Sequence, residues 1–265
     1  MGVVNVTPDS FSDGGLWFEP DAAIAHGREL LEQGADIVDV GGESTRPGAE
    51  RPDEDEELRR VLPVVRALAA DGARVSIDTM RAGVAREALE AGATMVNDVS
   101  GGLADRGMPS VAADTGVPFV VMHWRGHSAD MQSRARYEDV VADVCGELSE
   151  RVETLLGQGL RREQLLLDPG LGFAKKSGHN WSLLRHLDQL QGLGLPVLVG
   201  ASRKTFLGRL TPLADGSPRP AADRDAATVA TSVVAAQAGV WGIRVHNVRD
   251  TVDALRVVRA LEEAP

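Results

Sequence analysis

The sequence predicts a single α/β domain folded as a (β/α)8 TIM barrel. Short β-rich apolar runs alternate with longer helical stretches from one end of the chain to the other, in eight units. The phrases LEQGADIV, AADGARVSI, LEAGATMVN and AQAGVWGIRV repeat one junction. A helix ends, a glycine takes the left-handed conformation, and the chain turns directly into a strand. The length of 265 residues also suits such a barrel, which takes about 250. An open doubly wound sheet is the alternative that the same alternation allows. No linker or shift in composition divides the chain, so one domain over residues 1–265 is expected.

Strands are expected at Gly2–Val6, Asp36–Val40, Arg74–Asp78, Thr94–Asp98, Val117–Met122, Gln164–Asp168, Pro196–Val199 and Trp241–Val245. Helices are expected at Asp21–Gln33, Asp53–Ala70, Ala82–Ala91, Met108–Thr115, Tyr137–Gln158, His179–Leu190, Asp223–Ala238 and Val252–Glu262. The second helix has the plainest boundaries. Pro52 and Asp53 open it, acids crowd its first turn where they favour the helix dipole, and Gly72 ends it. Thr211–Arg224 (TPLADGSPRPAADR) has the composition of a loop and is expected to be the least ordered part.

Composition excludes several classes of function. Apolar residues make up 43% and charged residues 25%, an ordinary globular balance. The net charge is −11 with no polybasic run, which argues against nucleic acid or an anionic membrane as partner. Cys145 is the only cysteine, so neither a disulfide framework nor a thiolate metal cage is available, and a half-buried packing role is expected for it. No apolar run approaches the ~20 residues of a spanning helix, and no secretory signal is visible. A soluble, cytoplasmic protein is expected.

In a (β/α)8 barrel the active site forms at the carboxyl ends of the strands. Here those ends carry Asn5, Asp39, Asp78, Asn97 with Asp98, His123, Asp168, Ser202 with Lys204, and Arg244 with His246. A single such residue would be explained as a cap or a turn. The set is not, because caps do not require Asp, Asn, Lys and Arg to converge on one mouth. Carboxylates and an amide suit a flat ligand with several N–H donors. A lysine suits a carbonyl or ring nitrogen, and a guanidinium can lie over a π face. A 2-amino-4-oxopterin has these features. Hydrogen bonds to charged groups contribute ~1.5–3 kcal/mol each, so three or four would discriminate strongly between rings. No HExxH motif or His pair at i, i+4 is present, so a tightly held zinc is not expected. Mg²⁺ arriving with a diphosphate is compatible, since it needs few protein ligands.

Seven motifs stand in order along the chain: NVTPDSFSDGG (Asn5–Gly15), DVGGESTRPG (Asp39–Gly48), SIDT (Ser76–Thr79), NDVSGG (Asn97–Gly102), DPGLGF (Asp168–Phe173), GASRKTF (Gly200–Phe206) and RVH (Arg244–His246). Together they resemble the dihydropteroate synthase family over almost the whole chain. The resemblance implies condensation of (7,8-dihydropterin-6-yl)methyl diphosphate with 4-aminobenzoate. It places Asp78, Asn97, Asp168 and Lys204 around the pterin, with Arg244 stacked on the ring. It places Asn5 at the Mg²⁺ and diphosphate position and His246 on diphosphate oxygens. Thr45, Arg46 and Pro47 fall in the family's second loop over the mouth, and Val6–Gly15 forms the first. Phe173, Ser202 and Lys204 match the aminobenzoate side. The residues that act on reacting groups would be Asn5, Asp78, Lys204, Arg244 and His246. A homodimer through the outer helices is also implied. The chain opens at Met1-Gly2, with fewer residues before the first strand than family members carry, so either its start is trimmed or the barrel floor lacks a plug.

Other residues carry weaker signals. Asp39 and Asp98 neighbour pocket residues, but alternation can point them away from the mouth, which leaves a structural role equally open. His123 reads as a satisfied core histidine, and Trp17, Trp181 and Trp241 read as packing residues. The charge run Glu54–Arg60 reads as a solvated helix face. Two further functions share parts of the pattern. A methyltetrahydrofolate:corrinoid methyltransferase would use the Asp and Asn clamp without the TPDSFSDGG or SRK segments. A non-catalytic pterin-binding paralogue would have no reason to retain Asn5, Asp78, Lys204, Arg244 and His246 together.

Overall fold

The computed structural model describes residues 1–7, 19–44, 51–127 and 131–265. All eight expected strands form: β1 Gly2–Asn5, β2 Val38–Gly41, β3 Val75–Asp78, β4 Met95–Asp98, β5 Phe119–Met122, β6 Leu165–Asp168, β7 Leu198–Val199 and β8 Gly242–Ile243. Strands β1 to β6 pair in sequence order, β7 pairs with β8, and every pairing is parallel. Single bridges from Leu167 to Val197 and from Gly2 to Val245 join the two sheets along both edges. At the seam between β8 and β1, Val245 N donates to Met1 O at 3.0 Å and Val3 N donates to Val245 O at 3.1 Å. The ring is closed, and the open doubly wound sheet is excluded.

The helices surround this ring: α1 Pro20–Glu32, α2 Glu54–Ala70, α3 Ala82–Glu90, α4 Met108–Thr115, α5 Val140–Gly157, α6 Ser177–Arg185, α7 Leu187–Gln191, α8 Thr205–Gly208, α9 Asp225–Gln237 and α10 Val248–Glu262. Two departures from expectation have local causes. The helix expected at His179–Leu190 is two, broken at His186 (φ −118°, ψ 42°), so that Leu183 and Leu184 before the break and Leu187 and Leu190 after it are all buried. Helix α10 starts four residues early because Asn247 caps it, its side chain accepting the Asp250 N–H at 3.1 Å. The short α8 follows GASRK directly. At the end of the stretch Thr211–Arg224, Arg224 donates to the Arg219 and Arg203 carbonyls at 2.6 Å each.

The four repeated junctions form as expected. Gly34, Gly72, Gly92 and Gly239 all have positive φ. The residue after each bonds back to the helix, for example Ala35 N to Leu30 O at 3.0 Å and Ala93 N to Ala88 O at 2.9 Å.

Alternation along the strands builds two cores. Val38, Val40, Val75, Ile77, Phe119, Val121 and Leu167 face the helices in the main apolar cluster. Ile37, Met95, Val120, Leu166 and Leu198 form a separate cluster of inward residues in the barrel's lower interior. Two positions further along the same strands, the inward residues become Asp39, Asn97, Met122, Asp168 and Gly200. The register sets Asn5 opposite Gly41, Gly41 opposite Asp78 and Asp78 opposite Asn97, one polar row at the carboxyl end. Cys145 is half-buried, as expected. Trp241 is not a packing residue, since it is 45% exposed. Among the described residues no helix is long and apolar enough to cross a membrane.

The junction glycines provide a graded stability test. At Gly72 (φ +83°) an added Cβ meets nothing within 4 Å, whereas at Gly92 (φ +110°) it falls 2.6 Å from the Ala69 Cβ. Gly72→Ala is expected to cost roughly 1–2 kcal/mol from backbone strain alone, and Gly92→Ala more. Urea unfolding checks this, and equal losses at the two sites would show that the Ala69 contact is relieved without cost.

Candidate active site

A cavity of about 540 Å³ opens at the carboxyl ends of the strands. Asn5, Asp78, Asn97, Asp168, Phe173, Ser202, Lys204, Arg244 and His246 all line it, as the sequence predicts. The remaining candidates, Thr45, Arg46 and Pro47, lie outside the described residues, as does the first loop from residue 8 onward.

Arg244 organises the floor of this cavity. Its Nε donates to Asp39 Oδ2 at 2.6 Å and its Nη2 to Asp78 Oδ2 at 2.7 Å. The same Asp39 oxygen accepts from Asn97 Nδ2 at 2.9 Å. Asp39 is fully buried and points into the barrel beneath the mouth, where it anchors Arg244 and Asn97. Asp98 faces the other way and accepts the backbone N–H groups of Ser100 (2.7 Å) and Gly102 (2.8 Å), a structural role. Desolvation opposes the charge on Arg244, but Asp39 and Asp78 outweigh it and hold the guanidinium ionised. Desolvation pushes Asp78 up to about 7, with Arg244 opposing and Asp39 and Glu57 adding to the rise.

Lys204 and Asp168 form the opposite wall. The Lys204 Nζ donates to Leu171 O and sits 4.6 Å from the centroid of the Phe173 ring. Desolvation lowers Lys204 to about 8, Asp168 partly offsetting it. Asp168 is itself raised by desolvation, against the pull of Lys204 and of the Gly170 N–H at 2.7 Å. The glycines of DPGLGF are required here. A Cβ at Gly172 (φ +81°) would lie 3.0 Å from Lys204 Cδ, and one at Gly170 (φ +65°) only 2.4 Å from the His123 carbonyl oxygen. Between Ser202 and Lys204, Arg203 holds a left-handed conformation (φ +57°) without being glycine. Its N–H donates to Thr228 Oγ1 at 3.0 Å and its guanidinium grips both oxygens of Asp225 at 2.7 and 2.8 Å. These contacts stabilise a backbone conformation costing about 1–3 kcal/mol.

Ser202 sets the state of His246. Its Oγ accepts the His246 N–H at 3.2 Å and lies 2.9 Å from Nδ1. In the tautomer in which the hydroxyl donates to Nδ1, the ring proton is on Nε2. Desolvation, with Arg244, Arg203 and Lys204 nearby, holds His246 well below the usual histidine range, so it is a neutral N–H donor.

The sequence does not reveal Lys175, which also lines the cavity and is 4% exposed. Its Nζ lies 2.8 Å from His123 Nδ1 and donates to Phe173 O at 3.1 Å, while His123 Nε2 lies 2.9 Å from Glu147 Oε2. Desolvation lowers Lys175 well below its ordinary range and His123 to about 4. Tyr137 Oη donates to the carbonyl of Ala174 at 3.0 Å, and Ala174 has a positive φ of 47°. Segment 173–175 is thus held from both sides, and Phe173 with it. His123 is a satisfied core histidine, as expected, and its partners are the added information. Lys175 follows β6 by seven residues, beyond any strand-end pattern.

The charge run Glu54–Arg60 is not simply a solvated face. Glu57 is fully buried and accepts from Thr79 Oγ1 at 2.6 Å and from Arg81. A carboxylate at this register faces the barrel, which the local charge pattern does not show.

The class that the fold and this cavity define is a barrel enzyme with a polar, charge-balanced mouth. The chain belongs to the pterin binding enzyme family, whose model matches residues 1–246. The dihydropteroate synthase of Mycobacterium leprae (strain TN) is 54% identical over 261 residues, 98% of this chain and 92% of that protein. The crystal structure of the Yersinia pestis dihydropteroate synthase with a sulfonamide drug complex has a TM-score of 0.94 at 43% identity, covering 100% of this chain and 94% of that one. The Xanthomonas albilineans dihydropteroate synthase in complex with 7,8-dihydropteroate has a TM-score of 0.87 at 43% identity, again covering 100% and 94%.

Removing the buried anchor should expose its energetic weight. Asp39→Ala leaves Arg244 with one carboxylate and Asn97 without an acceptor, and is expected to destabilise by about 3–5 kcal/mol. Asp39→Asn, which keeps an acceptor oxygen, should cost less. Chemical denaturation of both variants decides, and an Asp39→Ala loss below the Asp39→Asn loss would remove Asp39 from this role.

Proposed function

We propose that the chain is a dihydropteroate synthase, condensing (7,8-dihydropterin-6-yl)methyl diphosphate with 4-aminobenzoate to give 7,8-dihydropteroate and diphosphate. One observation carries the proposal: the described motif residues that the family resemblance assigns to two substrates line one cavity. The neighbour that holds 7,8-dihydropteroate supports it. In this reading Asp78, Asn97 and Asp168 meet the pterin's donor and acceptor edge, and Lys204 donates to a ring acceptor. Arg244, fixed in plane by two carboxylates, offers its face to the ring. The C–O bond to diphosphate breaks and the arylamine nitrogen forms the new C–N bond, with loss of a proton. The requirement is stabilisation of separating charge by groups already in place. His246 donates from Nε2 to the leaving diphosphate, and Phe173, Ser202 and Lys204 border the aminobenzoate.

Mg²⁺ belongs to the same proposal. Among the described residues no group of three or more His, Cys, Asp or Glu is arranged to hold a metal. Asn5 supplies a hard oxygen donor beside the cavity, which fits an ion held mainly by diphosphate and water. It would supply neutralisation of the diphosphate charge when bound. A homodimer through the outer helices is proposed on the exposed apolar residues Val234 of α9, Trp241 after it, and Val257 and Leu261 of α10. The cytoplasm is the proposed location.

Purified protein given the dihydropterin diphosphate and Mg²⁺ should release diphosphate and form dihydropteroate only when 4-aminobenzoate is present, and Lys204→Ala should abolish it. Pterin binding without turnover would instead indicate a binding protein. Pterin affinity should also depend on pH in a defined sense. Asp78, raised to about 7, accepts N–H donors from both oxygens, and most strongly, as the carboxylate, so affinity falls as pH drops through 7. Lys204, lowered to about 8, donates best when charged, so affinity falls as pH rises through 8. Calorimetric titration from pH 6 to 9 should give a bell. Asp78→Asn should remove its acid limb and Lys204→Met its basic limb, whereas a flat wild-type profile would refute both assignments.

A further inference from the structure

An ion-pair cluster beside the cavity takes no part in the contacts assigned to substrates. At its centre is Arg81, immediately before α3. Its Nη1 donates to buried Glu57 and lies 3.4 Å from Glu43 Oε2, while its Nη2 donates to the Pro52 carbonyl at 2.5 Å. Its backbone N–H donates to Thr79 Oγ1 at 3.2 Å, and Thr79 directly follows Asp78. Glu43 is gripped a second time by Arg51, from Nε at 2.6 Å and Nη2 at 3.1 Å. Arg60 Nη1 donates to Gly42 O at 2.9 Å.

These contacts have a geometric consequence. The connection from β2 to α2 is held where it leaves the strand, at Gly42 and Glu43, and where it enters the helix, at Arg51 and Pro52. Arg81 touches both ends and ties them to the end of β3. Glu43 and Ser44 line the cavity, so the height of that edge depends on the clamp. The buried Glu57 makes the clamp obligatory. A carboxylate removed from water needs a cationic or donor partner, and here it has Arg81 and Thr79.

We infer that Arg81 is a positioning residue that sets the Glu43–Ser44 edge of the cavity by fixing both ends of the β2–α2 connection to the end of β3. This rests on the proposed synthase reading, in which the pterin sits deep against strand residues and the second substrate and diphosphate are met nearer the mouth. A guanidinium is required because its nitrogens reach Glu57, Glu43 and Pro52 in divergent directions, whereas an ammonium offers one point.

The test compares Arg81→Ala, Arg81→Lys and, as a control for charge loss on a solvent-facing side chain of α2, Arg59→Ala. Arg81→Ala should raise KM for 4-aminobenzoate and for the dihydropterin diphosphate by about tenfold or more. The Kd of a pterin without diphosphate should stay within about twofold, since strand residues set that part. Arg81→Lys should fall between, and added guanidinium should restore part of the loss in Arg81→Ala and have no effect on Arg59→Ala. A readout independent of turnover is cleavage after Glu43 by a glutamate-specific endopeptidase, expected to be faster in Arg81→Ala and unchanged in Arg59→Ala. Unchanged KM values and cleavage would overturn the inference. So would a parallel loss of pterin affinity, KM and melting temperature, which would make Arg81 a folding residue only. A wild-type protein that forms no dihydropteroate would count against the synthase reading, and the cleavage comparison would still judge Arg81.

Discussion

The guanidinium of Arg244, shared between Asp39 and Asp78, is the interaction on which the arrangement of the site depends. Its partners stand 205 and 166 positions away in sequence, on β2 and β3. They come within reach only because β8 closes against β1. Ring closure and the charge state of the cavity floor are therefore one constraint. Each carboxylate lowers the cost of burying the arginine, and the arginine lowers the cost of burying two carboxylates. Removing Arg244 would leave two buried carboxylates without their cation, whereas removing either carboxylate leaves Arg244 held by the other alone.

Desolvation strains this floor electrostatically. Asp78 and Asp168 are raised and Lys204 is lowered, each chiefly by desolvation. A flat ligand that offers N–H groups to the carboxylates and an acceptor to the lysine relieves each of these shifts as it binds. Affinity then comes from correcting existing misfits rather than from adding contacts to a satisfied surface, and that favours a ring with the matching edge over one without it.

Much of this was legible in the sequence because the relevant signals are local or periodic. The alternation of short apolar runs with helical stretches located the carboxyl ends of the strands, and the glycine junctions marked where strands begin. That is why Asn5, Asp78, Asn97, Asp168, Lys204, Arg244 and His246 could be placed on one mouth before any coordinates. What was not legible depended on facing elements. Glu57 sits in a run of charges that has the pattern of a solvated face, and only the packing of α2 beside β3 buries it. Lys175 lies in a loop, and its burial follows from His123 and Glu147 on other segments. Asp39 and Asp98 are both strand-end acids. Their opposite orientations follow from which phase of the alternation each occupies, and the polar residues at a strand end do not fix that phase.

The charge balance also bears on how a diphosphate is accommodated. Arg244 is committed to two carboxylates, His246 is neutral, and Lys175 is held below its ordinary range. Lys204 is lowered to about 8 and faces Asp168. Among the described residues lining the cavity, the other cations are Lys176 and Arg209, both exposed, where water screens their fields. Among the described residues the cavity therefore has little free positive charge at depth. A cation that arrives with a diphosphate would offset its charge. That is the physical ground for proposing Mg²⁺ at Asn5, and it explains how a single neutral amide can be the protein's share of that site: the ion's remaining oxygens come from the substrate and from water.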